Sequence, residues 1–332
     1  MFPYEIKPLD EKENQKLLNH FKGEKSGFCQ VGPDKWLLPI SYSKYADIFY
    51  NMEIKENDVF VVTFPRVGTT LSQELIWMVN NNLDFEKSAD IPLFERFPFI
   101  DLDILIHDEL GNEMKLLNTE PEVAKVVKAW KTPVDELLKS IPSPRHIKTH
   151  IPLSLLPQDI LEKAKVIYVA RNAKDVALSY YYHNKLIRLH DYVGDFETYW
   201  NLFKNDLVVY APYWKHIEEG WEKREHPNLL FLFYEDIVKN MRNEIRKVAE
   251  FLNKPMADKD VEQLFNHLQI DNFSKKVPVF AKGELKGWLN PMSEGFIRKG
   301  ESRGKKDFTE ALLKDADEWI EAHLKKNKIN FP

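Results

Sequence analysis

The chain has 332 residues, of which 43% are hydrophobic and 13% aromatic, so it can bury the core of one large α/β domain or of two smaller ones. No window approaches the roughly 18 uninterrupted apolar residues of a membrane span, and the charged N-terminus lacks the apolar stretch of a secretion signal. A net charge of −5 argues against a general nucleic-acid binder. The single cysteine, Cys29, cannot form an internal disulfide, so we expect a cytoplasmic protein.

The first strongly patterned stretch follows residues 1–57, which show no clear periodicity. Residues 59–64 form an apolar run without polar alternation, which is typical of a strand buried on both faces of a parallel sheet. A turn that holds Gly68 comes next. A helix facing the sheet is then predicted from apolar residues at helical spacing: Leu71, Leu75, Met78 and Val79.

The loop between this strand and this helix is suited to bind an anion. The backbone N–H groups of Gly68, Thr69 and Thr70 would lie at a helix N-terminus, where the helix dipole favours negative charge. Arg66 adds a fixed positive charge, so the expected ligand is a phosphate or a sulfate. The loop is not a Walker A motif, because Thr69 stands where that motif has its lysine. A capped helix without a ligand is the alternative that the loop alone leaves open.

Three further strands are predicted: a short one at 145–150 and apolar ones at 166–170 and 229–236. Helices are predicted after the last two of them, the second over 241–252. Strands that alternate with helices indicate a single α/β domain with a central parallel sheet and helices on both faces. In such a fold, ligands bind beyond the carboxyl ends of the strands. The residues just past those ends are Arg66, His150, Arg171 and Tyr234.

Two segments have no simple pattern. Residues 90–118 alternate apolar clusters with acids and contain Pro92 and Pro98, which predicts an irregular surface segment. Residues 265–306 are rich in Gly, Lys and Arg and are long for a structureless loop, which indicates a lid or binding loop, with a solvated surface as the alternative. A helical pattern returns over 307–326.

Four separated segments resemble the cytosolic sulfotransferases, which use 3′-phosphoadenosine 5′-phosphosulfate (PAPS). TFPRVGTTLSQ at 63–73 is similar to the 5′-phosphosulfate loop of that family, and KTHIPLSLLP, within 145–157, to its catalytic-histidine segment. VIYVARNAKDVALSYY, within 165–183, resembles the 3′-phosphate segment. FIRKG at 296–300, inside the predicted lid 265–306, resembles the C-terminal nucleotide motif.

The resemblance runs from about residue 36 to about residue 320, with the four motifs in the order of the family. Phrases such as ERFPF at 95–99 are similar in style to arthropod members. The resemblance implies that residues 1–332 form one sulfotransferase domain with a P-loop-like phosphosulfate loop. After FIRKG the chain departs from the usual Gly-Asp-Trp-Lys of the family, so the lid is expected to close differently.

Sulfuryl transfer needs a base, stabilisation of the leaving group and a nucleotide held in line. The resemblance implies that His150 is the base, a role suited to an imidazole that titrates near neutral pH. Arg66 stands where the family has a lysine, and arginine is a poor general acid. Arg66 and Lys148 are therefore expected to stabilise charge on the leaving group. Ser179 completes the predicted catalytic set.

The resemblance also implies a site for PAPS, with adenosine 3′,5′-bisphosphate (PAP) as the product and no metal required. Its expected residues are Arg66, Val67, Gly68, Thr69, Thr70, Leu71, Arg171, Ser179, Tyr234, Phe273, Phe296, Ile297, Arg298, Lys299 and Gly300. Leu71 replaces the tryptophan that the family usually stacks on adenine, which predicts a lower affinity for the nucleotide.

The acceptor pocket is expected to be aromatic, with lining residues Phe97, Phe99, Tyr182 and His183, although core packing explains these side chains equally well. An aromatic wall suits a phenol, a steroid-like alcohol or a retinoid-like alcohol. One related insect activity dehydrates an allylic alcohol through a transient sulfate, and this outcome stays open.

The expected partners are the small hydroxylated acceptor alone, without a nucleic acid or a membrane. The dimer motif of the family would fall at Thr309, Glu310 and Lys314, where it is not matched, so monomer and dimer both stay open.

Two other functions share parts of this pattern. A nucleotide kinase or NTPase would have the same strand, loop and helix, but the Walker lysine is absent and Glu235-Asp236 is the only obvious acidic pair for Mg²⁺. A noncatalytic binding module would hold the nucleotide or a hydrophobic ligand without turnover.

Overall fold

The computed structural model describes residues 1–281, 284–290 and 307–332 of the chain. The described strands are β1 (Ile6–Pro8), β2 (Phe28–Val31), β3 (Trp36–Pro39), β4 (Val59–Thr63), β5 (His146–Thr149), β6 (Lys165–Ala170) and β7 (Leu229–Phe233). The described α-helices are α1 (Glu11–His20), α2 (Tyr42–Asn51), α3 (Thr69–Asn80), α4 (Phe85–Asp90), α5 (Leu93–Arg96), α6 (Leu102–Leu105), α7 (Asp108–Leu117), α8 (Pro121–Trp130), α9 (Val134–Ser140), α10 (Ile160–Lys163), α11 (Ala173–Leu186), α12 (Phe196–Lys204), α13 (Tyr213–Glu222), α14 (Tyr234–Lys239), α15 (Met241–Phe251), α16 (Asp258–Leu268), α17 (Ile270–Lys276) and α18 (Glu310–Asn327).

The central sheet has four parallel strands in the order β5-β4-β6-β7. Val59 of β4 pairs with His146 on one side and with Lys165 on the other, so β4 is an interior strand. Every residue of β4 is buried, as the apolar run predicted for a strand covered on both faces. The prediction of a single α/β domain, with a central parallel sheet flanked by helices, is confirmed.

The parallel strands bring the predicted site residues to one edge of the sheet. Arg66 follows β4, His150 follows β5, Arg171 follows β6 and Tyr234 follows β7. Because the strands share one direction, these residues all lie at the carboxyl end of the sheet.

A second, antiparallel sheet of β1, β2 and β3 occupies the N-terminal region, for which no element was predicted. Its strands are three or four residues long, too short to show a period. Leu37 of β3 exchanges backbone hydrogen bonds with residues 210 and 211, which fixes this sheet to the main body.

The segment 90–118, predicted as an irregular surface segment, is partly buried, so the prediction of a surface position was wrong. The segment forms the short helices α5, α6 and α7, and it buries Leu93, Ile100 and Met114 in the core. The apolar clusters between the acids face inward, while the acids lie mainly at the helix starts, where the dipole favours them.

Two predicted boundaries also need correction. The strand predicted at 229–236 ends at Phe233, because helix α14 begins at Tyr234. The segment 265–306 begins in helices α16 and α17, so its first part is helical and not a loop. In the ranges that the structure describes, no helix has both the length and the apolar character needed to cross a membrane.

Candidate active site

The loop between β4 and α3 has the geometry of an anion cradle. Gly68 is the N-cap of α3 in the left-handed region, with φ of 95°, and no side chain in the described ranges caps this helix start. A Cβ atom at this position would lie 2.2 Å from Cδ2 of Tyr234. Only glycine therefore permits both the turn and the contact with the Tyr234 ring. The N–H groups of the uncapped first turn and the dipole of α3 point to an anionic ligand.

Arg66 connects this loop to the predicted 3′-phosphate segment. Its Nε donates to Oγ of Ser179 at 3.1 Å, and its carbonyl oxygen accepts from Nη1 of Arg171 at 3.2 Å. The backbone of Arg66 has φ of 70°, which is uncommon for a residue with a side chain. Three residues from two predicted motifs thus form one contiguous cationic cluster.

His150 is buried beside the end of β4, and its tautomer follows from its contacts. Its Nδ1 lies 2.7 Å from the carbonyl oxygen of Thr63 and 3.0 Å from the hydroxyl of the same residue. A carbonyl oxygen can only accept, so Nδ1 carries the proton and Nε2 of the neutral ring is the acceptor. Burial, followed by the positive charge of Lys148, holds the pKa of His150 well below its usual value. The ring is therefore neutral and able to accept a proton.

Thr63 was not predicted as a site residue, yet it connects His150, the predicted base, to the predicted anion loop. Its hydroxyl lies 2.9 Å from the hydroxyl of Thr69, the first residue of α3. A threonine at the end of an apolar strand, directly before the loop, was the signal in the sequence that could have indicated this role.

Asp101 is a second residue that the sequence analysis missed. Its fully buried carboxylate accepts from the hydroxyl of Thr149 at 2.6 Å and from the backbone N–H of His150 at 2.8 Å. Burial raises the pKa of Asp101 to about 6. At neutral pH the ionised carboxylate fixes the backbone of His150.

Lys148 lies partly buried between aromatic rings. Its Nζ is 4.0 Å from the ring centroid of Phe99 and 5.7 Å from that of Phe94, which are cation–π distances. Burial lowers the pKa of Lys148 to about 8; nearby Asp101 opposes this shift and Arg66 adds to it. Lys148 can therefore present a positive charge next to His150 at neutral pH.

His216 holds the backbone of His150, the predicted base. Its Nε2 donates to the carbonyl oxygen of His150 at 2.9 Å, and its Nδ1 lies 2.6 Å from the hydroxyl of Tyr168. Burial lowers the pKa of His216 to about 4, so this ring is neutral as well. No feature of the sequence indicated this contact, since it joins residues 66 positions apart.

Arg171 is placed to bind an anion. Its guanidinium lies 4.4 Å from the ring centroid of Tyr234 and 3.8 Å from Asp175. Its Nε is buried and has no hydrogen-bond partner among the described residues. A buried guanidinium N–H without a partner is costly, and a bound phosphate would supply the missing acceptor.

Comparison with known proteins identifies the family. The sulfotransferase domain model matches residues 56–328. The chain belongs to the sulfotransferase family, and it is a sulfotransferase. A luciferin sulfotransferase from Photinus pyralis is 34% identical over 310 residues, which cover 90% of this chain and 80% of that protein. Sulfotransferase 1E1 from Homo sapiens is 30% identical over 297 residues, which cover 89% of this chain and 93% of that protein.

Two solved structures of retinol dehydratase share the fold of this sulfotransferase. One contains androsterone and the inactive cofactor PAP; it is 32% identical with a TM-score of 0.86. The other contains retinol and PAP; it is 31% identical with a TM-score of 0.85. Each comparison covers 100% of this chain and 99% of the other.

The four residues predicted for the acceptor pocket of the sulfotransferase lie in different places. The centroid of the Phe99 ring lies 5.1 Å from that of His150, the predicted base. The Phe97 ring is fully buried 5.4 Å from His146, at the start of β5 and so at the opposite end of that strand. Their two ring positions differ because the backbone of 98–100 runs beside β5.

The other two predicted pocket residues are on α11. The hydroxyl of Tyr182 donates to Asp307 at 2.7 Å, at the edge of the segment that is not described. His183 lies 5.8 Å from the His190 ring, and burial, followed by the charge of Arg66, holds the pKa of His183 well below its usual value. His183 is thus near enough to the cationic cluster to sense its charge.

The remaining predicted nucleotide residues divide into two groups. Val67 is fully buried, Thr70 and Leu71 are partly exposed in the first turn of α3, and Phe273 is buried in α17. Phe296, Ile297, Arg298, Lys299 and Gly300 lie outside the described residues. In the described ranges, no group of three His, Cys, Asp or Glu side chains lies close enough to hold a metal ion.

Proposed function

We propose that this sulfotransferase transfers the sulfuryl group of PAPS to the hydroxyl of a small hydrophobic acceptor. The observation that carries the proposal is the hydrogen bond from Nδ1 of His150 to the carbonyl oxygen of Thr63. This bond directs the free lone pair of Nε2 away from β4, at the sheet edge that also holds Arg66 and Lys148. A neutral base next to two cations is the arrangement that the reaction requires.

In the proposed reaction, Nε2 of His150 takes the proton of the acceptor hydroxyl as the acceptor oxygen bonds to sulfur. The bond between sulfur and the bridging oxygen breaks, and that oxygen leaves on PAP with its electron pair. Arg66 and Lys148 stabilise the negative charge that develops there. Arg66 holds its proton throughout, because a guanidinium pKa lies above about 12.

The nucleotide is proposed to lie across the two anion sites. The phosphosulfate would contact the backbone of Gly68, Thr69 and Thr70, and the 3′-phosphate would contact Arg171 and Ser179. Arg171 supports this placement, since its buried Nε lacks an acceptor within the described part of the chain. Val67, Leu71, Tyr234, Phe273 and the segment 296–300 are proposed to complete the site without a metal.

The acceptor is proposed to be a phenol, a steroid-like alcohol or a retinoid-like alcohol. The ring of Phe99 next to His150 favours a flat apolar molecule. The retinol dehydratase structures contain a steroid, androsterone, or retinol, which supports the same range. If the acceptor is an allylic alcohol, elimination of the sulfate would give a dehydrated product, which mass spectrometry separates from a stable sulfate ester. We propose a cytoplasmic enzyme, monomeric or dimeric, without nucleic-acid or membrane partners.

A thermal-shift measurement with PAP, ATP and no ligand tests the cofactor class. PAP at a hundredfold excess over its Kd should stabilise the fold by about 2.7 kcal/mol, whereas ATP should have little effect. Adding EDTA should change neither binding nor sulfuryl transfer. A shift with ATP that requires Mg²⁺ would favour the kinase or NTPase, and no shift with PAP would contradict the proposal.

A further inference from the structure

The peptide group between Arg171 and Asn172 is held on both of its polar sides. Its carbonyl oxygen accepts from the hydroxyl of Tyr213 on α13. Its N–H donates to Oε1 of Glu235 on α14 at 2.7 Å. Since a peptide group is planar, two hydrogen bonds from different elements fix its rotation.

This peptide sets the direction of Arg171. Arg171 directly follows the end of β6, and Asn172 is the N-cap of α11, where its side chain accepts from the N–H of Lys174 at 3.0 Å. If these hydrogen bonds were lost, the backbone of Arg171 could shift, and its side chain would then move away from the ring of Tyr234 and from the carbonyl of Arg66.

Glu235 is otherwise hard to explain at this position. It places a carboxylate close to a cluster proposed to bind phosphates, and like charges repel. Its second oxygen, Oε2, is buried without a hydrogen-bond partner among the residues that the structure describes. The hydrogen bond from the N–H of Asn172 offsets part of the cost of burying the carboxylate, and it gives Glu235 a structural role.

We propose that Tyr213 and Glu235 are positioning residues that aim Arg171 at the 3′-phosphate of the nucleotide. They thereby give the enzyme its preference for a 3′-phosphorylated nucleotide over one that lacks this group. The inference rests on the proposed function, because it takes the proposed PAPS site as given. Neither residue touches the phosphate; both act through the backbone of Arg171.

The test compares the Kd of PAP with the Kd of adenosine 5′-monophosphate, which lacks only the 3′-phosphate. Calorimetry should show that the wild-type protein prefers PAP. Tyr213→Phe keeps the aromatic packing against Phe64 and Phe203 but removes the donor. The preference is the Kd of the monophosphate divided by the Kd of PAP. Tyr213→Phe should reduce this ratio by about tenfold, with the Kd of the monophosphate unchanged. A general loss of structure would weaken both ligands alike.

Tyr180→Phe is the matched control. The Tyr180 hydroxyl is also buried and donates to a backbone carbonyl, that of Val209, and its ring also packs on Phe64. This variant should keep the wild-type preference, because the Arg171 peptide is untouched. An equal loss of preference in the two variants would overturn the inference.

Glu235 supplies a second, independent test. Glu235→Ala should lose the preference for PAP, and Glu235→Gln, whose amide oxygen still accepts, should retain it within about threefold. In an Arg171→Met background, Tyr213→Phe should have no further effect on the preference, since the two residues act as a unit. A wild-type protein without a preference for PAP would overturn both the nucleotide site and this inference. A wild-type preference that survives in Tyr213→Phe and Glu235→Ala would overturn the inference alone.

Discussion

Nδ1 of His150 lies 2.7 Å from the carbonyl oxygen of Thr63, a residue 87 positions earlier in the chain. The contact joins the end of β5 to the end of β4 and leaves Nε2 as the acceptor of the neutral ring. Through the hydroxyls of Thr63 and Thr69, the same contact continues to the start of α3. The proposed base and the proposed anion loop are therefore parts of one hydrogen-bonded unit.

The pH dependence of kcat/KM should be set by Lys148 on the alkaline side. Burial lowers the pKa of Lys148 to about 8, so the side chain is positively charged below that pH and loses its charge above it. Activity should therefore fall as the pH rises through about 8. His150 has a pKa well below its usual value, so no decline is expected between neutral pH and about pH 6.5. Lys148→Arg, which does not titrate, should move the alkaline limit upward; an unchanged limit in this variant would assign it to another group.

Replacement of Arg66 separates charge from geometry. Arg66→Lys keeps the positive charge but loses the Nε donor to Ser179, and we expect kcat within about tenfold of wild type, or about 1.4 kcal/mol in the barrier. Arg66→Ala should lose at least about a hundredfold, since a partly buried cation at the proposed leaving-group position is removed. Arg242→Lys, at an exposed ion pair with Glu262, is the control. A loss of kcat beyond tenfold in Arg66→Lys would show that the paired N–H donors of the guanidinium are required in addition to its charge.

A tryptophan at position 71 should strengthen nucleotide binding. Leu71 is partly exposed in the first turn of α3, next to the proposed adenine site. Leu71→Trp should lower the Kd of PAP by about threefold to tenfold through aromatic stacking. The Kd of adenosine 5′-monophosphate should fall by the same factor, because stacking acts on the shared adenine. Leu71→Met adds no ring and should leave both Kd values unchanged. Tighter binding of PAP alone in Leu71→Trp would show that residue 71 does not stack on the adenine ring.

Asp101 should be needed to fix the catalytic segment. An amide at this position has only one acceptor oxygen, so Asp101→Asn leaves either the Thr149 hydroxyl or the His150 N–H buried without its partner. We expect a loss of roughly 1–3 kcal/mol in the free energy of unfolding, and a lower kcat. Asp135→Asn, at an exposed helix position, is the control for chemical denaturation. Unchanged stability and kcat in Asp101→Asn would mean that the carboxylate does not hold the segment.

The sequence could predict features that depend on local pattern. The buried strand β4 follows from its uninterrupted apolar run, and the turn at Gly68 from the residue that permits a positive φ. The roles of four residues could not be recognised, because their contacts join residues far apart in the chain: Asp101, His216, Tyr213 and Glu235. Asp101, for example, reaches His150 over 49 positions. Such contacts depend on the order of the strands in the sheet and on the burial of the segment 90–118. The sequence pattern of this segment indicated a surface position and not burial.

The most direct test of the central claim is transfer of ³⁵S-labelled sulfate from PAPS to a panel of a phenol, a steroid alcohol and retinol. The wild-type enzyme should label at least one acceptor class, and His150→Ala should lower the rate by at least about a hundredfold while its Kd for PAP stays unchanged. His20→Ala, near the protein surface, should transfer at the wild-type rate. Wild-type turnover in His150→Ala, or a wild-type protein that binds PAP but labels none of the three acceptors, would contradict the account.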